Sequence, residues 1–197
     1  MAVKDLVFFP NPRLVKPSRD AFAKEDFMLN GVFPNLVDLP SLIEDLTDTL
    51  ASIGGQGLAA PQIGVSTQVA ICNLATEPLV LINPTVEEAD DLLVEDMEGC
   101  ISLPGVYVKV KRWNKIALSY QDIDGNLIEK HFEGHNARVI QHEVDHLNGQ
   151  TIVSALSPIK RDIVTRKMTK VMKKLNQLET VKPGAKMQAI KRSFIAS

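Results

Sequence analysis

The segment Gln141-His-Glu-Val-Asp-His-Leu147 restricts the folding of this chain more than any other. His142 and His146 stand four residues apart, with Glu143 beside the first. A helix puts such a pair on one face, one turn apart, where a single metal ion can take both imidazoles. Glu143 then sits next to the ion, placed to move protons. The spacing predicts a helix from about Asn136 to Leu147, with Gly149 just past its end. Ala137, Ile140, Val144 and Leu147 form a separate apolar stripe, so the histidines are not needed as core filler. Gln141 and Asp145 adjoin the histidines in sequence, and ligand histidines need partners that orient them. The plain alternative is a pair of ordinary helix histidines with a solvated Glu143.

Two imidazoles need a third ligand, and Cys100 is the best candidate. It follows Glu98-Gly99, ahead of a strand pattern, which puts it at a strand edge or turn. Glycine there lets the backbone approach another group closely. One sulfur and two imidazoles leave a fourth tetrahedral position open, the mark of a catalytic rather than a structural site. Cys72 lies in an apolar strand and reads as core.

At 197 residues the chain is expected to be one domain, or one domain with an appendage. Hydrophobic residues make up 45%, enough for a sizeable core. No apolar run approaches the ~20 residues that span a bilayer. The first residues, Met1-Ala-Val-Lys-Asp-Leu-Val, lack a secretory pattern, and two cysteines make no disulfide framework. A reducing, cytoplasmic setting and a monomer without membrane contact are expected. The net charge of −2 hides an asymmetry: residues 155–197 carry 11 Lys and Arg against 2 Asp and Glu. That basic tail is either a solvated helix face or a contact for an anionic partner such as RNA.

Residues 10–40 contain Pro10, Pro12, Pro17, Pro34 and Pro40 and read as loop. Ser41 and Glu44 predict a capping box opening a helix with Leu42, Ile43, Leu46, Leu50 and Ile53 on its apolar face. Gly54-Gly55 ends it. Val69–Cys72, Leu79–Ile82, Val106–Val110, Ile116–Tyr120 and Leu127–Phe132 read as strands, with a turn at Asp124-Gly125. Ser157-Pro158 predicts the start of a basic helix. Val164, Met168, Val171, Leu175 and Leu178 make a narrow seam suited to docking on the domain surface. Pro183-Gly184 stops that helix, and the last dozen residues are expected to be loose. Gly55-Gln-Gly-Leu-Ala-Ala-Pro-Gln62 lacks the Lys-Ser/Thr of a phosphate loop; it suggests tight packing, with Gln62 offering an amide donor.

Three segments, Gly55–Gln62, Glu98–Ser102 and Gln141–His146, together resemble peptide deformylases. That family carries Gly-x-Gly-x-Ala-Ala-x-Gln, Glu-Gly-Cys-x-Ser and Gln-His-Glu-x-x-Asp-His in this order. Pro12-Arg-Leu14 and Ala137–Glu143 are also similar, and the likeness covers about residues 8–160. It implies an α+β fold, with antiparallel β-sheets around a central metal-binding helix and a C-terminal helix. Residues 1–157 would be the catalytic metallohydrolase domain, with the basic helix and tail, 158–197, packed on or extending from it.

The implied activity is removal of the formyl group from N-formylmethionine at the start of nascent polypeptides. Cys100, His142 and His146 would bind one divalent ion, Fe²⁺ in the cell, replaceable by Zn²⁺, Ni²⁺ or Co²⁺. Glu143 would take a proton from the attacking water and return it to the leaving amine. The Gln62 amide and the Ile101 backbone N–H would meet the oxyanion. Substrate contacts would come from Gly55, Gly57, Glu98, Gly99, His135, Arg138 and Val139, with Gly57 pairing with an extended substrate backbone. Arg112 would pair with Glu98 and brace the Cys100 loop. Departures include Ile101, where Leu is usual, and His135 and Asn136, where bulkier apolar residues are common. Asn136 is expected to cap the helix and His135 to lie at the pocket rim. The stretch between Leu14 and the first helix is longer than in compact members.

Two other readings compete. A zinc peptidase would take a third ligand downstream, but no histidine follows His146 and Glu179 is the only later glutamate. An inactive deformylase-like scaffold would bind the ribosome or RNA through the basic tail; an intact Glu143 and Gln62 argue against it.

Overall fold

Seven strands among the described residues pair as two antiparallel sheets, with one helix between. The computed structural model describes residues 3–22, 37–74, 77–181, 188–190 and 192. Five strands, β1 (Gly57–Ala59), β2 (Val69–Asn73), β3 (Pro78–Glu88), β6 (Lys115–Gln121) and β7 (Leu127–Glu133), form one sheet in the order β1-β2-β3-β6-β7. β4 (Leu93–Gly99) and β5 (Tyr107–Trp113) form a two-stranded ribbon. The helices are α1 (Leu39–Ile53), α2 (Gly134–Leu147) and α3 (Pro158–Val181). The fold is α+β, as expected.

The helix carrying the two histidines is α2. Its stripe of Ala137, Ile140, Val144 and Leu147 is buried against Leu81, Ile116, Leu118 and Tyr120 of the larger sheet. Its start differs from expectation. β7 runs directly into Gly134, whose N–H donates to the Asn114 carbonyl at 2.8 Å. Asn136 therefore lies inside the helix and caps nothing. Asn148 closes the far end, and Gly149 follows with φ +70°.

The first helix also begins earlier than predicted. Asp38, not Ser41, is the N-cap, and its carboxylate accepts from the Ser41 N–H at 3.4 Å. Pro40 is tolerated in the first turn, where its missing N–H costs nothing. Leu42, Leu46, Leu50 and Ile53 are buried, and Gly54 ends the helix at φ +78°. The Gly55–Gln62 segment is strand β1 and a 3-10 turn (Ala60–Ile63), because Gly57, Leu58 and Ala59 pair with Cys72, Ile71 and Ala70. β4 carried no apolar alternation and was not foreseen; it forms through its pairing with β5.

The basic helix buries Met168 and Leu175, with Val164 and Val171 partly covered; the Leu178 side chain lies outside the described residues. The tail departs from the loose end expected. Gln188–Ile190 is helical, and Ile190, 1% exposed, joins the cluster of Leu6, Phe8, Leu39 and Leu175. Apolar burial of this kind holds a terminus that sequence position alone would leave free. Pro34 in the N-terminal loop and the Pro183-Gly184 stop lie outside the described residues.

Candidate active site

Three donor atoms converge where α2 faces the ribbon. One atom each from Cys100, His142 and His146 lies within 4.8 Å of the other two. The helix supplies the imidazoles, whose ring centroids are 5.1 Å apart and nearly edge to face. The sulfur arrives from the end of β4, at a turn closed by the Leu103 N–H donating to the Cys100 carbonyl. Cys100 Sγ stands 3.1 Å from His146 Nε2. Thus a hydrogen-bonded turn and a helical face, remote in sequence, present one sulfur and two nitrogens to one point.

The ring of His142 is fixed from behind. Its Nδ1 and Glu98 Oε2 are 2.9 Å apart. The same carboxylate accepts from Arg112 Nε at 2.9 Å and Nη2 at 3.0 Å, and from Arg138 Nη1 at 2.7 Å. Arg112 also pairs with Asp145 on α2. Among the described residues, the Asp145 and Gln141 side chains hydrogen-bond elsewhere than to the histidines: Gln141 pins α2 to Trp113, accepting its N–H and donating to its carbonyl. The orienting partner of His142 is Glu98.

Burial and hydrogen bonding together set the charges. Burial alone would raise the Glu98 carboxyl, but hydrogen bonds from His142 and Arg112 outweigh it and hold Glu98 well below the usual carboxylate range. Burial alone would lower His142, yet bonding to Cys100 and Glu98 raises it well above the ordinary imidazole value. For His146, burial and then the neighbouring His142 act together and keep the ring neutral. A neutral imidazole is the form that ligates a metal. Burial also pushes Glu143 up to about 7, against the pull of His142 and Arg112.

Of four buried side-chain polar atoms without a hydrogen-bond partner among the described residues, two belong to the site, His146 Nδ1 and Glu143 Oε2; the others are Ser18 Oγ and Thr151 Oγ1. An unsatisfied buried acceptor is costly, so Glu143 faces a place meant for a donor such as water. The sulfur–nitrogen donor set, its spacing and this unfilled acceptor fit a divalent cation. Gln62 is held the right way round: its Oε1 accepts from the Ala59 N–H at 2.8 Å. Its amide nitrogen therefore turns toward Ser102 Oγ, 3.3 Å away, and Cys100 Sγ, 3.8 Å away.

A cavity of about 310 Å³ opens over these groups. Ile53, Ile101 and Val139 supply its apolar wall. A Cβ on Gly57 would collide with the Glu143 carboxylate, and one on Gly99 would come within 2.8 Å of the Tyr107 ring. Both glycines keep the backbone close to the chemistry.

A family model described as polypeptide deformylase matches residues 3–162. The chain belongs to the polypeptide deformylase family. A peptide deformylase of Stutzerimonas stutzeri is 37% identical over 174 residues, covering 87% of this chain and 97% of the relative. One of Pseudomonas aeruginosa is 36% identical over 173 residues, covering 86% and 96%. The crystal structure of a peptide deformylase from Legionella pneumophila aligns over 92% of this chain and 100% of its own, with TM-score 0.75 and 34% identity. That of the Ehrlichia chaffeensis peptide deformylase with actinonin covers 86% and 98%, with TM-score 0.75 and 31% identity.

The structure gathers the site residues singled out in the sequence. Gly55, Gly57, Gln62, Glu98, Gly99, Cys100, Ile101, His135, Arg138, Val139, His142 and Glu143 all line the cavity. His146 and Arg112 lie behind it, bonded to Cys100 and Glu98. His135 is exposed at the rim. Sequence reading missed Ile53, Gln56, Met97 and Tyr107, which also line the cavity. Met97 adjoins the foreseen Glu98-Gly99-Cys100 segment and Tyr107 pairs with Gly99, so the register of β4 on β5 would have revealed them; Gln56 lies between the foreseen Gly55 and Gly57.

Proposed function

We propose that this cavity hydrolyses the N-formyl group of formylmethionine at the start of nascent polypeptides, releasing formate and a free amine. The observation carrying the reading is the convergence of Cys100, His142 and His146 beside a buried Glu143 acceptor without a partner. Residues 1–157 carry the chemistry. Cys100, His142 and His146 hold one divalent cation, Fe²⁺ in the cell, with Zn²⁺, Ni²⁺ or Co²⁺ able to replace it, since a mixed sulfur–nitrogen site suits several. When bound, the cation supplies Lewis-acid polarisation of water and of the formyl carbonyl.

The protein's own groups do the rest. Glu143, with a pKa lifted toward neutrality by burial, takes the proton of the attacking water and returns it to the amine as the C–N bond breaks. The Gln62 amide, locked by Ala59, and the Ile101 N–H meet the developing oxyanion. Gly57, on the free edge of β1, pairs with the extended backbone of the substrate. The methionine side chain rests against Ile53, Ile101 and Val139, while His135 at the rim relaxes the demand for an apolar residue.

The test is turnover of a formyl-Met peptide, anaerobically with Fe²⁺ or with Ni²⁺, against Glu143→Ala. Turnover well above the variant is expected; turnover equal to it defeats the reading. The zinc-peptidase reading is set aside by family membership, and nothing in the comparisons favours an inactive scaffold. Ribosome contact through α3 is a separate part of the proposal. It is supported by the exposed Lys170, Lys173 and Lys174 on that helix. No helix among the described residues is long and apolar enough to cross a membrane.

A further inference from the structure

β4 delivers the critical sulfur, yet little apolar burial holds it. Leu93, Val94, Glu95, Asp96 and Met97 are all exposed, and β5 is its one strand partner among the described residues. A two-stranded ribbon is marginal by itself. Still, β4 brings Glu98 to the back of His142 and leads directly into Cys100. A polar fastening must replace the missing hydrophobic one.

Arg138 is in position to be that fastening. Its Nη1 donates to Glu98 Oε1 at 2.7 Å and to the Val110 carbonyl at 3.1 Å. Its Nη2 donates to the Val94 carbonyl at 2.7 Å. The side chain is 11% exposed, so these bonds are largely withdrawn from water. One guanidinium on α2 thus ties the metal-binding helix to both strands of the ribbon. A planar fork can serve three acceptors in this way; an ammonium cannot reproduce its fixed geometry. Arg112 grips Glu98 from the β5 side, so among the described residues Arg138 is the one α2 side chain hydrogen-bonded to the β4 backbone.

We propose that Arg138 is a positioning residue: a latch that seats β4 on α2, and thereby sets the approach of Cys100 to His142 and His146 and the cavity mouth at Met97. The inference rests on the metal-dependent reading above. It assigns the guanidinium to the architecture of the donor set rather than to the substrate.

The experiment uses the full chain and its Arg138→Met and Arg138→Lys variants, each titrated with Co²⁺ against a chromophoric chelator. For Arg138→Met, Co²⁺ affinity falls by about 10- to 100-fold, as is usual when a partner of a ligand is lost. The sulfur-to-cobalt absorption band shifts, and kcat on a formyl-Met peptide drops with KM little changed. Arg138→Lys keeps the charge but not the fork and recovers only part of the affinity. If Arg138→Met does not fold, the Lys variant carries the same three readouts. Unchanged Co²⁺ affinity and absorption with a raised KM would overturn the latch and make Arg138 a substrate contact. A stability loss with an unaltered cobalt spectrum would overturn it too. Wild-type protein that binds no Co²⁺ would remove the metal reading, and this inference with it; wild-type binding matched by both variants removes this inference alone.

Discussion

Glu98 joins three neighbours at once. Its carboxylate bonds two guanidiniums and lies 2.9 Å from Nδ1 of His142, a member of the donor cluster. Because its folded pKa is depressed below the ordinary glutamate value of about 4.3, its stabilisation is fully present above that pH. It is lost as pH falls through the lower folded value. Chemical denaturation at pH 7, 4 and 2 should therefore show Glu98→Gln less stable than wild type by about 3–5 kcal/mol at pH 7 and a much smaller gap at pH 2. An equal gap at all three values would contradict this. Gly57→Ala should lose most turnover while remaining folded, because the added methyl displaces the Glu143 carboxylate. Near-normal activity in that variant would show that Glu143 tolerates the shift. The three residues that converge were legible in sequence: His142 and His146 because a four-residue spacing puts both on one helical face, and Cys100 because it follows the Glu98-Gly99 turn signal. Glu98 as the partner of His142 was not, since 44 residues separate them and only the ribbon brings them together.

Among the elements, the apolar stripes of α1 and α2 were readable and the starts of both helices were not. Stripes repeat over several turns, whereas a start turns on one residue, Asp38 in α1 or the β7 junction at Gly134. β4 was invisible because a strand exposed along most of its length needs no alternation. The tail gives the reverse lesson: a terminal segment after Pro183-Gly184 suggested looseness, yet Ile190 is a core residue. Ile190→Ala should cost about 2–5 kcal/mol in a denaturant melt. No change in stability would place the tail outside the core.

For the whole molecule, charge and packing meet in α3. Met168 and Leu175 are core residues, so cutting off residues 158–197 would damage the domain as well as remove charge. The ribosome proposal is better tested by reversing the exposed Lys170, Lys173 and Lys174 to Glu. Ribosome sedimentation should weaken, most at low salt, with hydrolysis of short peptides unchanged. Equal sedimentation would remove that partner. The α+β class followed from the family resemblance, whereas the helix bearing the two histidines could be read from its own apolar stripe of period 3.6. The division into a sheet of five and a ribbon of two could not, because it depends on which strands pair. The central claim is that Cys100, His142 and His146 share one cation. X-ray absorption of the metal-loaded protein tests it most directly. With Zn²⁺, one sulfur at about 2.3 Å and two imidazole nitrogens at about 2.0–2.1 Å are predicted, with the sulfur shell lost in Cys100→Ala. A wild-type spectrum fitted by nitrogen and oxygen alone would contradict the account.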